Sequence, residues 1–461
     1  MADDFVSYLN AAVTGFHCVA ECKRRLADAG FAELDEKSLW SLEPGGQYYY
    51  VRNDSALVAF AVGVLYDAKT SGAIIVGAHT DSPCPKLKPS STLEKEGCVM
   101  LGVVGYGGGL WHTWFDRDLS VAGRVLVTGA SGYVEARLVY INKPLCRISN
   151  LAIHLNTPDE RSGGFKPNLQ QHLPPMLATN VAEELWKTDA DGGGSAGRHH
   201  PLLLLLLAKE LGVEAAKILD FELQLVDTQP ACVGGAADEF VFSGRLDNQA
   251  CCYLGVQALI ESRASLAETS AVRIVALFDH EEVGSCSATG AEGPLLRDAL
   301  LRIPASLPSP ALDVAGAAFR ARSLLISADM AHAHHPNYGD RHDPKHLPKL
   351  RRGLVVKHNA NQRYATDAIG ATFMRLAASK GGVAPCQEFA VRADCACGST
   401  IGPISAAGLG VRTVDVGAPM LSMHSIRELC AVDDVAHSKA VFKAAFDHFS
   451  TLAQELLGAH C

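Results

Sequence analysis

The chain has 461 residues, 48% of them hydrophobic and 20% charged, with 41 Lys and Arg against 50 Asp and Glu. That length exceeds an ordinary domain of about 50–250 residues, and the apolar share excludes a disordered chain. A net charge of −9 excludes an electrostatic nucleic-acid binder, which would present a basic face.

No segment reads as a membrane span. The longest leucine run, Leu202–Leu207, stops at Ala208-Lys209, far short of the roughly 20 apolar residues required. The start, Met1-Ala2-Asp3-Asp4-Phe5, has neither the basic nor the apolar region of a secretory signal, and Cys461 does not sit in a prenylation box. The 14 cysteines are scattered without a C-x-x-C pair, the usage of reduced thiols. The expectation is a cytoplasmic protein with no membrane and no nucleic-acid partner.

In chain order, Asn10 to Ala29 has the periodicity of an amphipathic helix, with Phe16, Val19, Ala20 and Leu26 on one side and Lys23, Arg24 and Arg25 towards solvent. Tyr48–Arg52 reads as a strand. The apolar runs Ala56–Tyr66 and Gly72–Gly77 read as buried strands of a covered sheet. From Lys86 to about Gly235 short alternating stretches and many turn residues predict a β-rich region. Within it Asp189–Arg198 (DADGGGSAGR) reads as a loop, Leu202–Leu211 as a helix and Phe221–Val226 as a strand. Beyond Gly235 strands and helices alternate again: helix at Asn248–Arg263, strands at Val272–Phe278 and Leu324–Ser327, helix at Asp367–Ser379, strand at Val411–Val416, and a long helix at Val435–Leu457. Strand–helix alternation on both sides of a β-rich middle predicts an α/β domain interrupted by an insertion. The expected boundaries are 1–88 and 237–461 for the α/β part and 89–236 for the insertion.

Ligands of open α/β sheets sit beyond the carboxyl ends of the strands, so polar residues at strand ends carry the functional signal. Five places stand out: His79-Thr80-Asp81, Arg245-Leu246-Asp247-Asn248, Asp279-His280-Glu281-Glu282, Asp329 after Ser327-Ala328, and His424 in Met423-His424-Ser425. Each alone is weak, because an Asp after a strand is most often a helix N-cap and a lone His is usually a packed or solvated side chain. Together they suit a pair of divalent cations, which about 3.5–4 Å apart can clamp and activate a water for hydrolysis. Imidazole and carboxylate ligands suit zinc, with cobalt or manganese as alternatives. On this reading His79, Asp247 and Asp329 hold one ion, Asp247, Glu282 and His424 hold the other, and Asp247 bridges. Glu281, beside a ligand but unbound, is the general base and acid. Asp81, two residues from His79, orients its imidazole.

These residues lie in stretches that resemble peptidase family M18, the metallopeptidases that include the aspartyl aminopeptidases. The stretches are GAHTDSPCPKLKP (Gly77–Pro89), YGGGLWHTWFDRDLSVAGRV (Tyr106–Val125), SGRLDNQACCY (Ser243–Tyr253), FDHEEVGS (Phe278–Ser285), ISADMAHAHHPNY (Ile326–Tyr338) and MHSIRE (Met423–Glu428). The resemblance implies a di-metal aminopeptidase domain, a central mixed sheet flanked by helices, carrying an inserted β-rich dimerisation domain. It also implies dimers assembling into a tetrahedral dodecamer, and peptides with N-terminal Asp or Glu as substrates. It implies substrate contacts from Asp329, His332, Lys357, Tyr364 and Glu281, with Lys357 meeting the acidic side chain. His154, in the insertion, would reach a neighbouring subunit's site and steady the oxyanion. By spacing alone Lys357 reads as a surface lysine, Tyr364 as a packed aromatic, His332 as a loop residue and His154 as a solvent-facing strand residue. The loop Arg392–Thr400 matches the family only approximately at Asp394-Cys395-Ala396, and Thr188–His200 and Pro304–Arg320 read as variable loops. Two rival readings keep parts of this set: a related aminopeptidase with neutral, leucine-type preference, and a non-catalytic cage subunit.

Overall fold

A computed structural model describes residues 1–181, 197–308 and 312–456. By internal contacts the chain divides into two units, one of Met1–Asp81, Ala231–Met423 and Glu428–Cys461, the other of Ser82–Pro230 and His424–Arg427.

The first unit is built on a nine-stranded sheet. Its strand order is Ala32–Glu33, Gln47–Arg52, Ala56–Val62, Val272–Phe278, Ala73–His79, Leu324–Ala328, Arg412–Gly417, Val355–His358, Gln387–Ala390. The four strands Val272–Phe278, Ala73–His79, Leu324–Ala328 and Arg412–Gly417 run parallel. Ala56–Val62 and Val355–His358 pair antiparallel on either side of them, so the sheet is mixed.

Three of the parallel strands are buried along their whole length, and Arg412–Gly417 everywhere but at Arg412, because both faces are covered. Alternation decides which residue goes where. Ile74, Val76 and Ala78 join one core, with residues of the helices Gly15–Asp28, Leu246–Ser262, Ala368–Lys380 and Val432–Leu456. Ala73 and Ile75 join the other, with Leu295–Ser306, Phe319 and Ile401. Each fully buried Val or Ile contributes about 1.5–3 kcal/mol, which is why predominantly apolar runs mark these strands in the sequence. A smaller sheet of five strands, Cys232–Gly234, Phe240–Ser243, Glu428–Ala431, Pro419–Leu421 and Ala331–His332, also belongs to this unit.

Two expectations are corrected here. The single helix expected from Asn10 to Ala29 is two, Ala2–Ala11 and Gly15–Asp28. The break comes at Ala12 (φ −85°, ψ 56°), and Thr14 then caps the second helix by accepting from the His17 amide, a bond worth about 1 kcal/mol. Phe5 and Tyr8 of the first helix pack on Tyr253, with ring centroids 5.0 and 5.2 Å away. Pro304–Arg320, read as a variable loop, contains the end of the helix Leu295–Ser306 and most of the helix Leu312–Ala321. Pro304 misled that reading. It sits in the last turns of its helix, where Leu300, Ile303 and Pro304 itself are buried.

His17 yields a pH test of this packing. Burial lowers its imidazole to about 4, with Arg245 adding to the effect. The unfolded chain, with an ordinary value near 6.5, therefore binds more protons than the native state between those limits. Stability is complete above pH 6.5 and lost as pH falls towards 4, by on the order of 3 kcal/mol at most. Urea midpoints from pH 7 to 4.5 should fall less steeply in His17→Gln than in the wild type, and parallel slopes would refute the assignment.

The second unit is a six-stranded antiparallel sheet, in the order Val134–Tyr140, Leu119–Thr128, Ile218–Asp227, Cys84–Lys95, Cys98–Tyr106, Met176–Thr179. The helix Pro201–Leu211 adds Leu203, Leu204 and Leu207 to its core. The β-rich reading of this stretch agrees with the sheet. Of the loop read at Asp189–Arg198, residues 189–196 lie outside the described residues.

Candidate metal centre

Register places the site. Phe278 pairs with His79 and Ser327 with Gly77, so three parallel strands end side by side, and the residues that follow them converge. His79 is the last residue of its strand and 1% exposed. Its Nε2 lies 3.3 Å from Asp247 Oδ1, 3.4 Å from Asp329 Oδ1 and 3.9 Å from Glu281 Oε2. Candidate donor atoms fall within 4.8 Å of one another in His79, Asp247 and Asp329, and again in His79, Glu281 and Glu282.

Local structure aims each group. Asp247 stands at the start of the helix Leu246–Ser262, after Arg245 in left-handed backbone, and both Asp247 and Asn248 depart from helical angles. The unwound turn is pinned on three sides. Asn248 Nδ2 donates to Ala328 O (2.8 Å), Gln249 Nε2 donates to Thr80 O (2.6 Å), and the Asp247 amide donates to Glu428 Oε2 (3.2 Å). The helix is thereby tied to the strand end before Asp329 and to the loop after His79. Glu281 and Glu282 lie in the short turn Glu281–Val283, whose amides donate to Asp81 Oδ1 and Oδ2 at 3.1 Å each. His79 Nδ1 lies 3.1 Å from the Asp81 main-chain oxygen and 3.4 Å from its Oδ1. Of the two Asp81 oxygens near the imidazole, the main-chain carbonyl is the nearer. The Asp81 carboxylate chiefly holds the glutamate turn.

The electrostatics of the cluster call for cations. Burial alone would lower the His79 imidazole, but Glu281, Asp247, Asp329 and Asp81 outweigh it and hold the ring well above its ordinary value. Burial pushes the Glu281 carboxyl up to about 8; Asp329, Asp247 and Asp81 add to this and His79 opposes it. Carboxylates crowded in a dry site cannot all ionise without positive charge among them. Asp329 Oδ1 is buried and makes no hydrogen bond. One imidazole among carboxylates is a donor set that fits zinc, and a bound cation would reverse these shifts.

The remaining expected residues fall as follows. Lys357 is 1% exposed, so its reading as a surface lysine by spacing is overturned. Its Nζ donates to Asp329 O (2.9 Å) and Met330 O (3.3 Å) and lies 3.5 Å from Asp329 Oδ2. Tyr364 is buried, with its ring centroid 5.0 Å from Lys357 Nζ. Burial raises its hydroxyl, and Cys397 adds to the shift. His332, in the strand Ala331–His332, is open on one side, and its ring stands edge-on to Phe389 at 5.8 Å. Crowding by burial and then Lys357 lower its imidazole.

His424 belongs by contacts to the second unit. Its backbone is left-handed (φ 66°) and its Nδ1 lies 3.0 Å from Gly108 O. His154 is exposed in the 3-10 turn Ile153–Leu155, where the alternating-strand reading had placed a strand residue. The sequence reading gave no role to Asn248, Gln249, Glu428 or Asp415, all buried. For Asp415 there was a signal, a lone acid inside the apolar strand Arg412–Gly417.

A mixed α/β sheet that gathers an imidazole and several carboxylates beyond its parallel strand ends defines a metal-dependent hydrolase. Comparison with known proteins is consistent with this and narrower. The family described as aminopeptidase I zinc metalloprotease (M18) matches residues 8–446. The chain is 50% identical to a probable aspartyl aminopeptidase of Ricinus communis, over 98% of this chain and 96% of the relative, and 44% identical to the aspartyl aminopeptidase of Dictyostelium discoideum, over 98% and 97%. Among solved structures it superposes on one described as the Ape4 and Nbr1 complex with a TM-score of 0.93, at 43% identity, covering 99% of this chain and 87% of that one. The mApe1 dodecamer of S. cerevisiae gives 0.87 at 30% identity, covering 98% of each chain. The chain belongs to the M18 family and is a metalloaminopeptidase.

Proposed function

We propose that this enzyme removes N-terminal Asp or Glu from peptides, using two divalent cations, zinc above all. The observation that carries the acidic preference is Lys357, a buried cation set against the backbone and carboxylate of Asp329. Two of its donors are engaged by main-chain oxygens; the third, 3.5 Å from Asp329 Oδ2, would turn to a substrate carboxylate once Asp329 holds a cation, a charge-assisted bond. The names of the relatives from Ricinus and Dictyostelium favour the same substrate class.

On this proposal His79 and Asp329 hold one cation, Glu282 and His424 the other, and Asp247 both. Cations held there supply Lewis acidity and an acidified water at neutral pH. Glu281 takes the proton from the attacking water and passes it to the leaving amine. Asp81 keeps the glutamate turn and the His79 ring in place. Tyr364 and His332 line the approach to Lys357. His154 of a neighbouring copy steadies the oxyanion, within dimers assembled into a dodecamer. Exposed Leu151, Ile153, Leu155 and Phe165 beside His154 (55, 60, 70 and 53%) support a surface that pairs with another copy. No described helix is long and apolar enough to cross a membrane; a cytoplasmic location is part of the proposal, and the free thiols of Cys18, Cys22 and Cys252 suit it.

A hydrolysis profile over N-terminal residues, with and without a chelator, tests this. Asp and Glu should exceed Leu by at least about 10-fold in kcat/KM, the worth of one hydrogen bond to a charged group. The activity should vanish with the chelator and return with zinc. A leucine preference would favour the neutral reading, and purified protein without bound metal would favour the cage subunit.

A further inference from the structure

Lys357 does not stand alone in the first unit's core. Val355 pairs with Gly417 and Val356 with Val416; continuing that antiparallel register sets Lys357 across from Asp415. On its other side Asp415 pairs with Ser327, in parallel. Asp415 is fully buried. Its Oδ1 accepts from Ser327 Oγ and Thr400 Oγ1, both at 2.6 Å, and its Oδ2 accepts from the Ala365 amide at 2.6 Å. Its own amide donates to Thr366 Oγ1 at 2.9 Å.

These partners are not scattered. Ser327 lies two residues before Asp329, Ala365 follows Tyr364, and Thr400 caps the helix Ile401–Leu409. One carboxylate therefore joins three segments, two of which, at Asp329 and Tyr364, stand against the Lys357 ammonium. The fold makes room for it at Gly402, where a Cβ would come 2.3 Å from Asp415 Oδ2. The start of a helix also favours an anion.

Charge gives the arrangement its purpose. A buried ammonium needs a compensating anion. Asp329 Oδ2 is 3.5 Å from Lys357 Nζ, but in the proposed function Asp329 is committed to a cation. Burial raises the Asp415 carboxyl and the charge of Lys357 opposes that rise; Asp415 is then the acid that remains across from the lysine on its own sheet. We infer that Asp415 is a positioning residue for substrate selectivity: it fixes the Lys357 ammonium and the Tyr364 segment so that an acidic side chain finds its partner in place. Asp415 does not touch the substrate. The inference rests on the reading of Lys357 as the group that meets that side chain.

The test is a double-mutant cycle on the full chain loaded with zinc, using Asp-, Glu- and Leu-p-nitroanilides. Asp415→Asn, Lys357→Met and the double variant are compared through the ratio of kcat/KM on Asp to that on Leu. Asp415→Asn should lower the ratio about 10-fold, mostly through KM for the acidic substrates. In the Lys357→Met background it should change the ratio less than about twofold, because the two act as one unit. Equal losses on all three substrates would reduce Asp415 to a structural residue, and a full further shift in the Lys357→Met background would show that it does not act through the lysine. If Lys357→Met leaves the ratio unchanged, the acidic-pocket reading fails; Asp415→Asn then refutes the inference whether it shifts the ratio, by a route other than the lysine, or leaves it alone. Should Asp415→Asn not fold, Ser327→Ala and Thr400→Val keep the carboxylate; the first removes one hydrogen bond to it, the second another together with the cap on the Gly402 amide. Each should shift the ratio in the same direction by about threefold, and no shift from either would overturn the proposal.

Discussion

Glu281→Gln is expected to lower kcat on Asp, Glu and Leu substrates alike by at least about 10³-fold while leaving bound zinc unchanged. Glu281 shares a donor set with His79 and Glu282, yet it lies farther from His79 Nε2 than Asp247 and Asp329 do. Glu281 Oε2 stands 3.9 Å from His79 Nε2, where the nearest oxygens of Asp247 and Asp329 stand at 3.3 and 3.4 Å. It is half an ångström farther from His79 Nε2 than Asp329 is, and its amide is fixed by Asp81. A glutamine keeps the length of the side chain and its acceptor oxygen but cannot take a proton. Loss of proton transfer therefore falls on turnover, with little effect on binding. Because every N-terminal residue leaves through the same amine, the loss has no substrate preference, unlike the loss expected from Lys357→Met. Kinetics on the three substrates, with metal analysis of the same preparation, read both halves of the claim. Loss of zinc along with activity would make Glu281 a ligand.

Most of the sheet was legible because short, predominantly apolar runs in a chain of this size are best placed with both faces buried. Val272–Phe278 and Leu324–Ala328 show this within a residue or two. Legibility failed where local signals compete. Thr14 and Gly15 read as part of one helix because Asn10 to Val13 run directly into the periodicity of Phe16, Val19 and Leu26, and nothing in the sequence marks Ala12 as the residue that leaves helical angles. Pro304 looked like the end of order when it sits in the closing turns of a helix. His79, Asp247, Glu281, Glu282 and Asp329 could be proposed because strand ends are where such groups work. Their distances depend on register across strands far apart in sequence, which no spacing encodes. Lys357 shows the limit most clearly. A lysine after two valines carries no sign of burial, and its surroundings come from Asp329 and Met330 in one direction and the Arg412–Gly417 strand in the other. The family resemblance found it where composition could not.

Asp247→Asn should cost the enzyme both cations, whereas Asp329→Asn or Glu282→Gln should cost chiefly one. The difference follows from the proposed bridge, since only Asp247 serves both sets of donors. An asparagine fills the same space at the pinned helix start and leaves the Asn248, Gln249 and Asp247 amide bonds intact, so the loss is one of charge and donor strength rather than of shape. Zinc affinity should fall by at least about 100-fold, more than the 10–100-fold typical of a lost supporting group, and kcat/KM by about 10³-fold or more. Metal-free protein should respond in the opposite sense. His79 Nε2 is ringed by Asp247, Asp329 and Glu281, and like charges confined there oppose folding when no cation is present. Removing one should raise the melting temperature of the stripped protein by about 2–4 °C, the equivalent of roughly 1 kcal/mol in a domain of 150–250 residues. Zinc titration by calorimetry and melting curves with and without metal measure the two effects separately. A variant that loses zinc and also melts lower in the metal-free state would mean that Asp247 holds the unwound helix start together, with no carboxylate crowding to relieve. A variant that keeps one ion at full affinity would remove the bridge and leave two independent sites.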